Sequence, residues 1–200
     1  MNKGRLEAFS DGVFAIVITL LILNVKLPDT DYSRLGDALI SILPALSIYV
    51  ISFLLVGMYW VFHHYAFTFI TQVDGVLLWV NIFFLLFISF IPFPAMMMGK
   101  YPFHTLPVII YGCNLIFSNA MGFISLIYLW KNKSLASPAF TREVFRSQLN
   151  LYLIVNAIYI LAVVVSFIAP GFSFITLGVL AIALIIRSIR MSGVSKPKQA

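Results

Sequence analysis

The sequence predicts an all-α integral membrane protein, a single six-span domain over residues 1–200, and three observations lead there. Mean hydropathy is +1.02. Apolar residues make up 62% of the chain and charged residues only 10%, where a soluble domain carries roughly 25% charged residues. The charges that are present sit at the ends of long apolar runs. A span takes about 20 mostly apolar residues, so the chain accommodates about six helices with short loops between them.

The first span covers roughly residues 6–25 and stops at the turn Lys26-Leu27-Pro28-Asp29. A polar loop with Asp29, Asp31, Arg34 and Asp37 follows. The second span, 39–67, is longer than a bilayer core requires and is expected to tilt. Pro44 either kinks it or marks its first turn. The third span, 76–98, closes on Pro92, Pro94 and a run of methionines. The fourth, 105–130, ends with the interfacial aromatics Tyr128 and Trp130. In the polar segment 131–147, Ser137-Pro138 reads as a helix N-cap followed by proline at the first helical position. The fifth span, 148–169, turns at Pro170-Gly171 into the sixth, 172–190, and a basic tail.

Six spans place both termini, the loop near 68–75 and the segment 131–147 on one side of the membrane. Ten of the thirteen Lys and Arg residues lie there: Lys3, Arg5, Lys131, Lys133, Arg142, Arg146, Arg187, Arg190, Lys196 and Lys198. Lys26, Arg34 and Lys100 lie opposite. An excess of Lys and Arg marks the cytoplasmic face, so both termini are expected in the cytoplasm. The basic residues thus act as topology signals and do not point to a nucleic-acid partner. Lys3 and Arg5 before an apolar run look like a signal peptide, but no small-residue cleavage site follows, so the first span is expected to be retained.

Chemistry-bearing motifs are sparse. There is no nucleophile elbow, phosphate loop or glycine-rich dinucleotide turn. His63 and His64 are adjacent, so on a helix they point about 100° apart and cannot clamp one metal ion from one face. His104 stands alone, and the lone cysteine, Cys113, has no intramolecular disulfide partner. An enzyme is not expected, nor a cofactor or resident metal. The potassium-channel filter motif that coordinates through backbone carbonyls is also missing.

The informative stretch is Arg5 to Asn24, RLEAFSDGVFAIVITLLILN. On a helix turning about 100° per residue, Arg5, Gly12, Ile16, Thr19 and Leu23 share one stripe, with Leu20 at its edge. Ser10 and Asp11 point well away from it. An ionisable residue at the margin of a span needs a partner or a function. Asp11 is therefore either an ion or proton site or a hydrogen-bonded anchor, and its direction off the stripe favours the anchor. Partners expected at the same depth are Trp60, His63 or His64, and Trp79 or Asn81.

The motif Arg5-x-x-x-Phe9-Ser10-Asp11 and the aliphatic run after it resemble the first helix of prokaryotic members of the transmembrane protein 175 potassium channel family. Tyr59-Trp60-x-x-His63-His64 and the stretch Asn81 to Phe93 extend the likeness. The resemblance implies a potassium-permeable channel in the cell membrane, a homotetramer around a central pore lined by the first helix. It implies a hydrophobic constriction at Ile16, with Leu20 and Leu23 as further layers, and a selectivity-related hydroxyl at Thr19. It further implies that Arg5, Phe9, Ser10 and Asp11 form a polar motif holding that helix. The expected partners are then further copies of the chain, the lipid bilayer and permeating monovalent cations. The rival readings are a proton- or cation-coupled carrier using Asp11 and a histidine, and a non-conducting scaffold.

Overall fold

A computed structural model describes residues 2–194, without the side chains of 173, 174 and 187–194. It is helical throughout: α1 (Lys3–Leu21), α2 (Leu35–Ser41), α3 (Leu43–Phe67), α4 (Gly75–Phe90), α5 (Pro92–Lys100), α6 (Thr105–Lys131), α7 (Arg142–Ser166) and α8 (Pro170–Val194). Among the described residues, five segments are long and apolar enough to cross a membrane: Lys3–Asn24, Leu43–Phe67, Gly75–Lys100, Thr105–Lys131 and Arg142–Ser166. The apolar part of α8, Pro170–Ile186, is shorter. Lys196 and Lys198 lie outside the described residues, as do the side chains of Arg187 and Arg190.

Proline positions explain where the helices differ from the expected spans. The second span is two helices. Pro44 has no N–H to donate to the carbonyl one turn back, so α2 ends at Ser41 and α3 starts afresh with Pro44 in its first turn. The third span is likewise broken between α4 and α5. Pro92 cannot donate to the Ile88 carbonyl, which accepts instead from the Ile91 N–H at 3.2 Å. That shift leaves the Phe87 carbonyl without its usual donor, and the Asn114 amide on α6 donates to it at 3.0 Å. A buried backbone carbonyl in hydrocarbon has no water to turn to, so Asn114 repairs the break and ties α6 to α4.

The fifth helix begins six residues ahead of the expected 148, at Arg142. Ser137-Pro138 is not its cap. The Ser137 N–H donates to the Phe69 carbonyl at 2.7 Å, and the Thr71 N–H donates to the Leu135 carbonyl at 2.8 Å, joining two loops in a short bridge. Thr141 is the N-cap instead, accepting from the Val144 N–H.

α6 lies at the centre, packed against α4, α5 and α7; α3 touches α1, α5 and α8, and α1 rests on α3 and α4. Gly112 on α6 is a close-approach glycine, because a Cβ there would collide with the Val163 side chain of α7. Where lipid is as apolar as the helix surfaces, such packing and interhelical hydrogen bonds hold a bundle together. Ser52 and Tyr111 share a bond of 2.9 Å, and Tyr59 and Tyr159 one of 3.2 Å. Asn119 donates to the Tyr152 carbonyl at 3.0 Å.

Asp74 caps α4 through the Leu77 N–H at 2.9 Å and accepts from the Tyr128 hydroxyl at 2.6 Å. Partial burial opposes its ionisation, but these hydrogen bonds outweigh that and hold the carboxyl below its ordinary value. A lowered folded-state pKa adds stability that is present above the unfolded value, about 4, and is lost as pH falls through the folded value. Asp74→Ala is therefore expected to cost about 1 kcal/mol near neutral pH. In melting experiments the deficit should shrink once pH drops below about 4; an equal deficit at both pH values would remove the carboxylate from this role.

Candidate functional site

One face of α1 is buried: Leu6, Ser10, Phe14, Val17 and Leu21, spaced at one helical turn. Phe14, Val17 and Leu21 enter the main apolar core with Leu55, Ile88 and Tyr159. The opposite face stands free of the protomer's core. Ile16 is 60% exposed, Leu20 43% and Leu23 64%, with Gly12 and Thr19 also exposed. The predicted stripe is thus a real division of the helix: a packed side, and an aliphatic side left unoccupied by the chain's other described residues.

A directed chain of hydrogen bonds sets which side faces which way. Ser10, fully buried, donates to the Leu6 carbonyl at 2.8 Å, so its oxygen is free to accept. The Asn81 amide nitrogen on α4 donates to it at 3.1 Å. That orientation leaves the Asn81 carbonyl oxygen to accept from His63 Nε2 on α3, 2.8 Å away. His63 therefore carries its proton on Nε2. Its ring stacks on Phe67 at 4.3 Å and on Phe84 at 5.6 Å, with Phe14 of α1 against its edge. Three helices meet in this cluster, with Ser10, Asn81 and His63 Nε2 linked in one directed relay.

Asp11 makes a second, separate contact. It points away from the Ile16 stripe and accepts from the Trp60 indole N–H at 2.8 Å. His64 stacks on the Trp60 ring at 5.8 Å and steadies it. The structure thus brings together Ser10, Asp11, Trp60, His63, His64 and Asn81. Three of the expected residues stay out. Trp79 is exposed, with its ring against Phe83, and the indole that donates to Asp11 is that of Trp60. Arg5 and Phe9 are exposed on the outer side of α1. Among the described residues the ion pair is Lys3–Glu7, so Arg5 does not pair with Asp11 within the protomer.

The outer end of α1 has its own fastening, which the sequence reading missed. After α1 the chain tightens into a 3₁₀ turn, Ile22–Asn24, and the Asn24 amide donates to the Pro92 carbonyl at 3.0 Å. The only sequence cue was an amide side chain at the end of an apolar run, beside no obvious partner. Between the two fastenings, Thr19 donates its hydroxyl proton backward to the Ala15 and Ile16 carbonyls, at 3.1 and 2.8 Å. Its oxygen lone pairs consequently face outward from the exposed stripe.

Comparison with known proteins gives the family of the chain. A family model described as endosomal/lysosomal potassium channel TMEM175 matches residues 5–92, the segment holding every residue of the two hydrogen-bonded clusters. A relative named as a potassium channel of Chamaesiphon minutus is 30% identical over 196 residues, covering 94% of this chain and 95% of that one. The chain belongs to the TMEM175 family. A crystal structure described as a lysosomal potassium-selective channel TMEM175 homolog from Chamaesiphon minutus superimposes with a TM-score of 0.80. Identity there is 31%, over 93% of this chain and 97% of that one. A further relative, named as a potassium channel of Chryseobacterium sp., is 42% identical over 118 residues. That match spans 59% of this chain and 60% of the relative, less than two thirds of its length.

The cluster's geometry ranks its members. Asn81→Leu strands a buried donor on His63 and a buried acceptor on Ser10, and is expected to cost about 1–3 kcal/mol. Trp60→Phe removes one bond at an exposed carboxylate, a loss of about 0.5–1.5 kcal/mol. Thermal melting of the purified variants should therefore place Asn81→Leu below Trp60→Phe; the reverse order would show that the anchor lies at Asp11.

Proposed function

We propose that the protein is a potassium-permeable cation channel of the cell membrane. Four copies, each with six spans and cytoplasmic termini, surround a central pore lined by α1. Ile16, Leu20 and Leu23 form the hydrophobic constriction and gate, and Thr19 lies beside them as the selectivity-related hydroxyl. The observation that carries this reading is the exposed aliphatic stripe on a helix whose opposite face is pinned by Ser10 and Asn24. The relatives named as potassium channels supply the ion.

The mechanism follows from the wall chemistry. A ring of branched hydrocarbon narrower than a hydrated cation is dry, because an ion cannot exchange its water for CH groups; such constrictions gate by dewetting. Rehydration requires a modest outward shift or rotation of α1. The fastenings at Ser10 and Asn24 fix the closed setting and supply the points about which α1 turns. No carboxylate lies on the stripe, so cation preference comes from size, from the outward lone pairs of Thr19 and from the surrounding field. Modest potassium-over-sodium selectivity is the consequence. The carrier alternative needs Asp11 and a histidine free to exchange protons or ions. Here Asp11 is engaged by Trp60, and His63 by Asn81.

Purified protein in planar bilayers should give unitary current steps with a reversal potential that shifts under potassium-for-sodium exchange, whereas a carrier gives saturable flux without steps. Ile16→Asn should raise resting conductance and loosen selectivity. Currents indistinguishable from the wild type would remove Ile16 from the gate.

A further inference from the structure

Beside the His63 cluster, the helices α3, α4, α6 and α7 line a cavity of about 90 Å³. We propose that this cavity is a binding site for a small uncharged ligand with an aromatic or compact apolar body and one hydrogen-bonding group, a phenol-like alcohol in chemical class. The proposal stands apart from the pore, and binding does not depend on what α1 conducts.

The walls argue for the class. Most of the lining is apolar and aromatic, including Phe62, Phe67 and Phe84, which suits a ring. Among the described residues no Asp, Glu, Lys or Arg lines the space, so a charged ligand would give up its hydration without compensation. One polar group waits for a partner. Gln148 on α7 is only 8% exposed and lines the cavity, yet among the described residues its side-chain amide has no hydrogen-bond partner. Both a donor and an acceptor are thus offered to whatever fills the space. The Tyr152 hydroxyl lies at the same wall, over Gly122, where any Cβ would press on it. The lining also contains His63 and Asn81, the residues that hold Ser10 of α1. A ligand here touches the same side chains that set the rotation of the first helix.

The alternative occupant is water, since a cavity with polar partners needs only about 10–15 Å³ of this kind of volume to hold its first molecule. The test is ¹⁹F saturation-transfer NMR on the full-length protein in lipid nanodiscs, with 4-fluorophenol, fluorobenzene and 4-fluorobenzoate as probes and empty nanodiscs as reference. Saturable binding of 4-fluorophenol is expected, with little or none for 4-fluorobenzoate. Gln148→Leu should weaken 4-fluorophenol about tenfold, the effect of one lost hydrogen bond to a buried group, and leave fluorobenzene unchanged. Ser125→Phe, which fills the cavity, should abolish binding of both neutral probes while the protein still melts cooperatively. Binding no greater than in empty nanodiscs, equal binding of the benzoate, or wild-type affinity for 4-fluorophenol in Gln148→Leu would each overturn the proposal.

Discussion

The rotational setting of the first helix depends on one buried hydrogen-bond relay, from His63 through Asn81 to Ser10. A helix in hydrocarbon has little to choose between its faces, because lipid is as welcoming to Ile16 as the core is to Val17. A serine at position 10 breaks that tie. Its oxygen must find a donor, and the nearest one on a neighbouring helix is the Asn81 amide. Once Ser10 turns inward, helical geometry sends Phe14, Val17 and Leu21 into the core and leaves Ile16, Leu20 and Leu23 outside. The ring stack of Phe67, His63 and Phe84 keeps the relay's origin in place and excludes competing water.

The far end of α1 relies on a defect elsewhere. Prolines at 92 and 94 interrupt the third span and leave carbonyls without their helical donors. Asn114 takes the freed Phe87 carbonyl, and Asn24 adds a bond to the carbonyl of Pro92 at the start of α5. The region of the break therefore doubles as a docking point, and the first helix is held at Ser10 and Asp11 near its middle and at Asn24 just beyond its C-terminal end. That arrangement suits a helix that must turn or shift slightly while remaining attached.

Much of this was legible in the sequence, because helical periodicity is a hard constraint. The alternation between Ser10 and the Ile16 stripe, and the depth match of Asp11 with Trp60 and of Ser10 with Asn81, follow from a turn of about 100° per residue and from opposite chain directions in successive spans. Partner choice was less legible. Trp79 and Asn81 lie two residues apart at almost equal depth, and only the helix rotation in the bundle decides that Asn81 points inward. Arg5 is the cation of its motif, yet it is exposed on the side of α1 shared with Ile16, away from Asp11's partner Trp60. The Ser137-Pro138 cap was misleading because a local signal lost to a long-range one: the Ser137 N–H serves Phe69, across from the loop. Asn24 and Asn114 were invisible for a similar reason, since their partners are backbone carbonyls on distant helices, and the one Asn114 takes is freed only by the break at Pro92.

The central claim is that the exposed stripe of α1 faces a shared water-accessible axis and not lipid. Cysteine placed at Ile16, with Cys113→Ser to remove the native thiol, tests it most directly in membranes. The account predicts oxidative cross-linking between copies of the chain, together with modification by a membrane-impermeant thiol reagent while current flows. Reaction only with lipid-soluble reagents, and no cross-linked species, would contradict it.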